Sequence, residues 1–481
     1  MTVLTSVPVA ALPTERFASV LDAEAYERFD ELAKGARERF AGRVVWNVNS
    51  TARGGGVAEM LQSLLAYARG AGVDARWEVI RGEPEFFRVT KRIHNHLHGA
   101  PGDGGSLGEP EREAYEAALA SNVPELLELV SLDDVVILHD PQTAGLVPPL
   151  KEAGVPVIWR CHVGIDSPNE LAREAWAFLV HYVRNADAFV FSRRAFAWEG
   201  LDEDRIALIA PSIDAFSAKN QDLDAGAVAA ILEIAGLQHE GGAGHPPAFT
   251  RHDGSPAHII RHAELQQEAP LRPDDRVVVQ VSRWDRLKDP LGVLRGFVDH
   301  VAGDDAHLVL AGPSVEAVTD DPEGAEVLAE AREALEGLER PRRAQVHLAC
   351  LPMDDLEENA AIVNALQRRA NVVVQKSLAE GFGLTVAEAM WKGRPVVASR
   401  IGGIQDQVVD GESGVLLNDP LDLEECSGAV RRLLDDPAAA KAMGREARER
   451  VRSHFLGVRS LTQYLDLIER VERKRPSPAA R

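Results

Sequence analysis

A chain of 481 residues, 45% hydrophobic and 27% charged, is long enough for two to three globular domains with full cores. Its formal net charge of −22 repels a phosphate backbone and an anionic lipid surface, so neither nucleic acid nor a membrane is an expected partner. Cys161, Cys350 and Cys426 are too scattered for a disulfide framework or a zinc motif and read as buried, reduced thiols. Met1–Arg16 carries no basic, uninterrupted apolar leader, and no apolar run reaches membrane-spanning length; a cytoplasmic location is expected.

In chain order, residues 1–42 form a charged, helix-prone arm with Leu21, Tyr26, Phe29 and Leu32 at helical spacing, either a docking arm or a fraying extension. A strand is predicted over Arg43–Asn49, followed by a glycine-rich turn and a helix over Gly56–Arg69 (Val57, Met60, Leu61, Leu64, Leu65). Further strands are predicted at Arg76–Ile80, Asp134–Leu138, Val155–Trp159 and Ala188–Phe191, with helices between them. Gly236–Ala269 is rich in Gly, Pro and His and holds His239, His245, His252, His258 and His262. Their irregular spacing and the local glycines predict a solvated, mobile insertion, with a metal site the lesser alternative. Alternation restarts with strands at Arg276–Val281, His307–Ala311, Gln345–Leu348, Val372–Gln375, Pro395–Ala398 and Gly414–Leu417. Strand–helix alternation of this kind predicts parallel sheets with helices on both faces, here in two α/β, doubly wound domains. The expected boundaries are 43–235 and 270–455, joined by 236–269. An amphipathic helix within 456–473 crosses back to the first domain, and the tail Lys474–Arg481 is expected to be disordered.

Four segments carry chemistry. Asn49-Ser50-Thr51-Ala52-Arg53-Gly54-Gly55-Gly56 follows a strand and opens a helix, where free N–H groups attract anions; it is neither a Walker loop nor the dinucleotide fingerprint, and a plain tight turn is the alternative. Ser282–Asp289 follows the first strand of the second domain, where ligands of open α/β sheets bind, and offers Arg283 and Lys288 to a diphosphate; a solvated charged loop is the alternative. Glu380-Gly381-Phe382-Gly383-Leu384-Thr385-Val386-Ala387-Glu388 follows Val372–Gln375 and opens a helix to about Trp391. If fully helical, it separates the two carboxylates by ~12 Å. A retaining glycosidase needs roughly 5 Å, so a hydrolytic pair is excluded and hydroxyl groups at two ends of one elongated ligand are favoured. Trp159-Arg160-Cys161-His162 and His139-Asp140-Pro141 end successive strands; each histidine is either a ligand of the cleft or a packed, hydrogen-bonded side chain.

As an ordered set these segments resemble the retaining GT-B glycosyltransferases of family 4, over about residues 43–470. Val48–Thr51, Gly54–Glu59, His139–Gln142, Trp159–His162 and Glu380–Lys392 are similar to the trehalose-forming branch, whereas the N-terminal arm and 236–269 depart from its pattern. The resemblance implies two Rossmann-like domains facing a deep cleft, the first on the acceptor side and the second binding a nucleotide sugar. It implies transfer of glucose from a nucleoside-diphosphate glucose to glucose, forming trehalose, with no cofactor, no required metal and a possible homodimer. By the same resemblance, His162, Arg283, Lys288 and Glu380 are the catalytic set. Gly54, Gly55, Gly56, Asp140, Arg160, Gly381, Phe382, Gly383, Leu384 and Glu388 bind substrate, Glu388 at the ribose, and the base lies near Leu348–Leu351. The alternatives are a trehalose phosphorylase using sugar phosphate, a related transferase with another acceptor, and a non-catalytic sugar-binding protein.

Overall fold

The computed structural model describes residues 3–52, 55–242, 244–303, 305–315 and 322–474. Gly54 of the glycine-rich turn and the tail 475–481 lie outside the described residues. The chain divides into two compact units, 1–212 with 457–481, and 213–456.

The first unit is built on a seven-stranded sheet. Its strands are β1 (Thr5–Val7), β2 (Val44–Asn49), β3 (Asp74–Val79), β4 (Val135–His139), β5 (Val157–Cys161), β6 (Ala188–Phe191) and β7 (Ile206–Leu208). Their spatial order is β1-β3-β2-β4-β5-β6-β7, parallel except for β1, which runs antiparallel to β3 with Ser6 opposite Glu78. β4 (Val-Val-Ile-Leu-His) is buried at every position, the mark of a strand covered by helices on both faces. One core cluster runs from Trp46, Val48 and Leu138 through Tyr115 to Trp159 and Trp198. The N-terminal arm docks: its helix Ala23–Arg39 starts where Asp22 accepts from Ala25 N (2.8 Å) and buries Phe29, Ala33 and Ala36. Leu32, placed by the helical spacing on the buried stripe, is exposed. Helix Gly457–Arg473 belongs to this unit, and its Glu472 receives Arg39 (2.8 Å) and Arg43.

The second unit repeats the plan. It holds β8 (Ala248–Thr250), β9 (Pro256–His258), β10 (Glu264–Gln266), β11 (Arg276–Val281), β12 (Ala306–Pro313), β13 (Val346–Leu351), β14 (Val372–Gln375), β15 (Val396–Ser399) and β16 (Val415–Leu417). The sheet order is β10-β13-β12-β11-β14-β15-β16, with β10 antiparallel to β13 and the rest parallel; β8 and β9 form a separate hairpin. The order reverses at β2/β4 in the first sheet and at β11/β14 in the second, and an open α/β sheet binds ligands outside the carboxyl ends of strands at such a reversal.

The expected boundary near 235 falls instead at 212/213, because helix Ala225–Ile234 packs on helix Leu356–Arg369 and Asn364 Nδ2 donates to Ala218 O and Gln221 O (3.1 and 2.9 Å). The His-rich stretch is not the mobile loop its glycines suggested. It supplies β8, β9 and β10, and it is pinned by charge: Arg251 pairs with Asp355 and Glu357, and Glu358 accepts from Ile260 N and Arg261 N (2.7 and 2.8 Å). Among the described residues no group of three or more His, Cys, Asp or Glu is arranged to hold a metal ion, and no helix is long and apolar enough to cross a membrane.

Candidate active site

The loops leaving β11 and β14 meet in the second unit. After β11, buried Trp284 anchors its loop by donating from Nε1 to Pro313 O (3.0 Å). Asp285 then accepts from Leu287 N (2.7 Å) and from the exposed Arg283 (2.9 Å). Lys288 follows, and its carbonyl accepts from the buried Gln280 side chain (2.7 Å). Its ammonium reaches Glu380, on the loop after β14, at 2.5 Å. Ser377 Oγ is 3.5 Å from the same carboxylate oxygen, and Leu378 N donates to Leu287 O (2.7 Å). A cation suited to a phosphate and a carboxylate suited to sugar hydroxyls thus sit side by side at the sheet's reversal point.

Gly383 ends this loop in the left-handed conformation (φ 79°), just before helix Leu384–Trp391, whose first-turn N–H groups have no partner within the helix. Gly381 O accepts from Gly403 N (2.8 Å) and Phe382 O from Gln407 Nε2 (2.5 Å), which fixes the loop's carbonyls away from its amides. Glu388 lies apart from Glu380. It is almost enclosed, 3.5 Å from Lys219, with Lys392 bonded to its carbonyl (3.1 Å) and to Asn220 (3.0 Å). Burial pushes the Lys392 ammonium below its usual range, opposed by the charge of Glu388.

In the first unit the corresponding reversal point gathers Asn47, His139, Asp140, Arg160 and His162. Asp140 has φ 65°, an unusual backbone for a non-glycine residue, held by Asp140 N donating to Arg160 O (2.7 Å) and His162 N donating to its Oδ1 (2.7 Å). Enclosure pushes its carboxyl up to about 6, against the pull of the His162 amide and Arg160. His139 is pushed down to about 3 and His162 well below the ordinary histidine range, in both cases by burial and then by Arg160. One proton arrangement satisfies two neutral rings: Arg160 Nε, 3.1 and 3.0 Å from His162 Nδ1 and Nε2, donates to Nδ1, His162 Nε2 donates to His139 Nδ1 (3.2 Å), and His139 Nε2 to Asn47 Oδ1 (3.0 Å). In that arrangement both His162 nitrogens are engaged. In the glycine-rich turn, Asn49 Nδ2 donates to Thr51 O (2.7 Å), helix Gly55–Gly70 begins at Gly55, and Gly56 is exposed in its first turn.

Residues 47–198 match the family model described as trehalose synthase, N-terminal domain, and residues 261–450 the one described as glycosyl transferases group 1. A trehalose synthase of Pyrococcus horikoshii is 35% identical over 457 residues, covering 94% of this chain and 95% of that protein. The chain belongs to the trehalose synthase family. A trehalose synthase of Rubrobacter xylanophilus is likewise 35% identical over 461 residues, 95% of this chain and 96% of its own. The fold is GT-B: a UDP-forming α,α-trehalose-phosphate synthase from Burkholderia xenovorans superposes with a TM-score of 0.63 at 15% identity, over 90% of this chain and 99% of that one.

For this member of the trehalose synthase family the structure corrects one expected ligand. Arg160 is fully enclosed, with Nη1 donating to Tyr464 Oη (2.7 Å), Nη2 to Ile209 O (3.0 Å) and Nε to His162. Every branch of its guanidinium holds protein, so it supports His162 instead of binding substrate. Leu348–Leu351, expected near the base, lie buried inside β13 with β10 along its edge. Asn47, Ser377, Gly402, Gly403 and Gln407 escaped the sequence reading. Only the Gly402-Gly403 pair after a strand carried a signal, as a chain breaker; the others act through partners distant in sequence.

Proposed function

We propose that the protein transfers glucose from a nucleoside-diphosphate glucose to free glucose with retention at the anomeric carbon, giving α,α-trehalose and the nucleoside diphosphate. The pairing of Lys288 with Glu380 at the end of β11 and β14 carries this reading. In it, Lys288 and Arg283 neutralise the departing diphosphate, so no metal is needed for that charge. Glu380 exchanges Lys288 for hydroxyls of the donor glucose, and the amides of Gly381, Phe382, Gly383 and Leu384 support it. Glu388 exchanges Lys219 for the ribose hydroxyls.

In the first unit Asp140 accepts from a sugar hydroxyl, His162 contacts the sugar without proton transfer, and the amides of Gly55 and Gly56 meet anionic or sugar oxygens. As the C–O bond to the phosphate breaks, an oxocarbenium-like sugar forms. The acceptor hydroxyl attacks from the same face, and its proton passes to the leaving phosphate oxygen. The work is charge stabilisation at the phosphate, not a protein nucleophile. Replacing Lys288 with Ala tests this: turnover should fall by about 10²-fold or more while the unfolding midpoint barely moves. Parallel losses of turnover and stability would remove Lys288 from the chemistry.

A further inference from the structure

Lys376 is the first residue after β14, and its side chain has no exposure to solvent. Its ammonium pairs with Asp289 Oδ2 and donates to Pro420 O (2.6 Å). A buried lysine is a costly way to fill space, since its desolvation must be met by a closely placed charge and further acceptors, both of which are present. Asp289, the partner, is itself unusual. It sits in the left-handed region at φ 47°, while its Oδ1 accepts from Gly292 N (3.0 Å) and so caps helix Pro290–Gly296. Asp is among the few non-glycine residues that adopt this conformation singly, and here its side-chain cap and Lys376 both hold it there.

Both costs fall beside Lys288. Asp289 is the next residue in the chain, and Lys376 stands four residues before Glu380 on the other loop. The two loops are therefore joined twice by charge, once through Lys288–Glu380 and once beneath it through Asp289–Lys376. We infer that Lys376 is a positioning residue, holding Asp289 so that Lys288 is presented at the phosphate-binding point. The inference rests on the proposed function for its catalytic meaning; its structural part does not.

The experiment has two arms on the full chain. In the first, acetic anhydride labels lysines and mass spectrometry reads Lys288. Lys376→Met should raise the Lys288 labelling rate several-fold, and an unchanged rate would overturn the inference. In the second, steady-state turnover is measured with a nucleoside-diphosphate glucose and glucose for Lys376→Met, Lys288→Ala and the double variant. A displacement of about an ångström accounts for a loss of roughly 10²-fold in kcat. Lys376→Met should show that loss with little change in donor KM, and no further loss in the Lys288→Ala background. Multiplying losses would overturn it, because a residue acting only through Lys288 has nothing left to act on. Should Lys376→Met fold poorly, Lys376→Met/Asp289→Asn removes both charges together, leaves no uncompensated buried ion, and is read by the same two arms. A wild-type protein without turnover would sink the proposed function, while the labelling arm still decides whether Lys376 positions Lys288.

Discussion

Asp140 shows how much chemistry one enclosed side chain carries. Burial pushes its carboxyl up to about 6, and in the proposed reaction it accepts a sugar hydroxyl most strongly as the carboxylate. kcat/KM should therefore fall about tenfold per pH unit below about 6. Asn is nearly isosteric with Asp, so Asp140→Asn removes the charge without adding to the strain already present at φ 65°, ψ 176°. That variant should be weakly active and flat between pH 5 and 8; retention of the wild-type acid limb would assign the limb elsewhere. The stability sign is opposite to that of an ordinary paired carboxylate. The folded state binds this proton first, so Asp140 alone makes the fold more stable as pH falls from about 6 through the unfolded value of about 3.9. Lys288, Glu380, Gly381 and Gly383 stand out in the sequence because they sit on loops that follow readable strands and carry their own chain signals. Arg160 was misassigned because sequence places it at a strand end but does not reveal Tyr464, some 300 residues away, as its partner.

The Glu380–Gly383 loop depends on a second element, the turn after β15. Gly402 has φ 47°, and a Cβ there would lie 1.9 Å from Glu380 O. Gly402→Ala should cost about 1–2 kcal/mol from backbone conformation alone, and more as the loop shifts. Gly411 provides the control, with φ 78° and nothing within 4 Å of an added Cβ. Urea denaturation should show both variants destabilised, whereas turnover should fall only for Gly402→Ala; equal turnover in the two would separate this turn from the site. The same scale shows what sequence patterning resolves. The long valine-rich strands were readable within a residue or two, since burial on both faces writes a continuous apolar run. β1, β7, β8, β9 and β10 are three residues each, too short for a period, and β1 and β10 exist because a neighbouring strand offers an open edge. The domain boundary was misplaced for a related reason: helix Ala225–Ile234 has no sequence mark saying which unit its apolar face will pack in, and that partner, helix Leu356–Arg369, lies over a hundred residues on.

At the scale of the whole molecule, the first unit buries two neutral histidines, His139 and His162, and the second buries His347; His139 and His347 are pushed down to about 3 and His162 well below the usual range, in each case mainly by burial. The unfolded chain takes these protons near 6.5, so the stability they contribute is intact above that pH and is lost progressively as pH falls toward 3. Each accounts for about 2–3 kcal/mol at most between pH 6.5 and 4.5, partly offset in the first unit by Asp140. Urea unfolding midpoints should therefore decline from pH 7 to 4.5; a flat or rising profile would contradict the neutral-histidine assignment. The central claim is the reaction itself. Its most direct test is proton NMR of the products formed from a panel of nucleoside-diphosphate glucoses, each incubated with free glucose. The anomeric signal of α,α-trehalose should appear together with release of the nucleoside diphosphate. No product from any donor, with trehalose consumed only when inorganic phosphate is added, would contradict it and identify a phosphorylase.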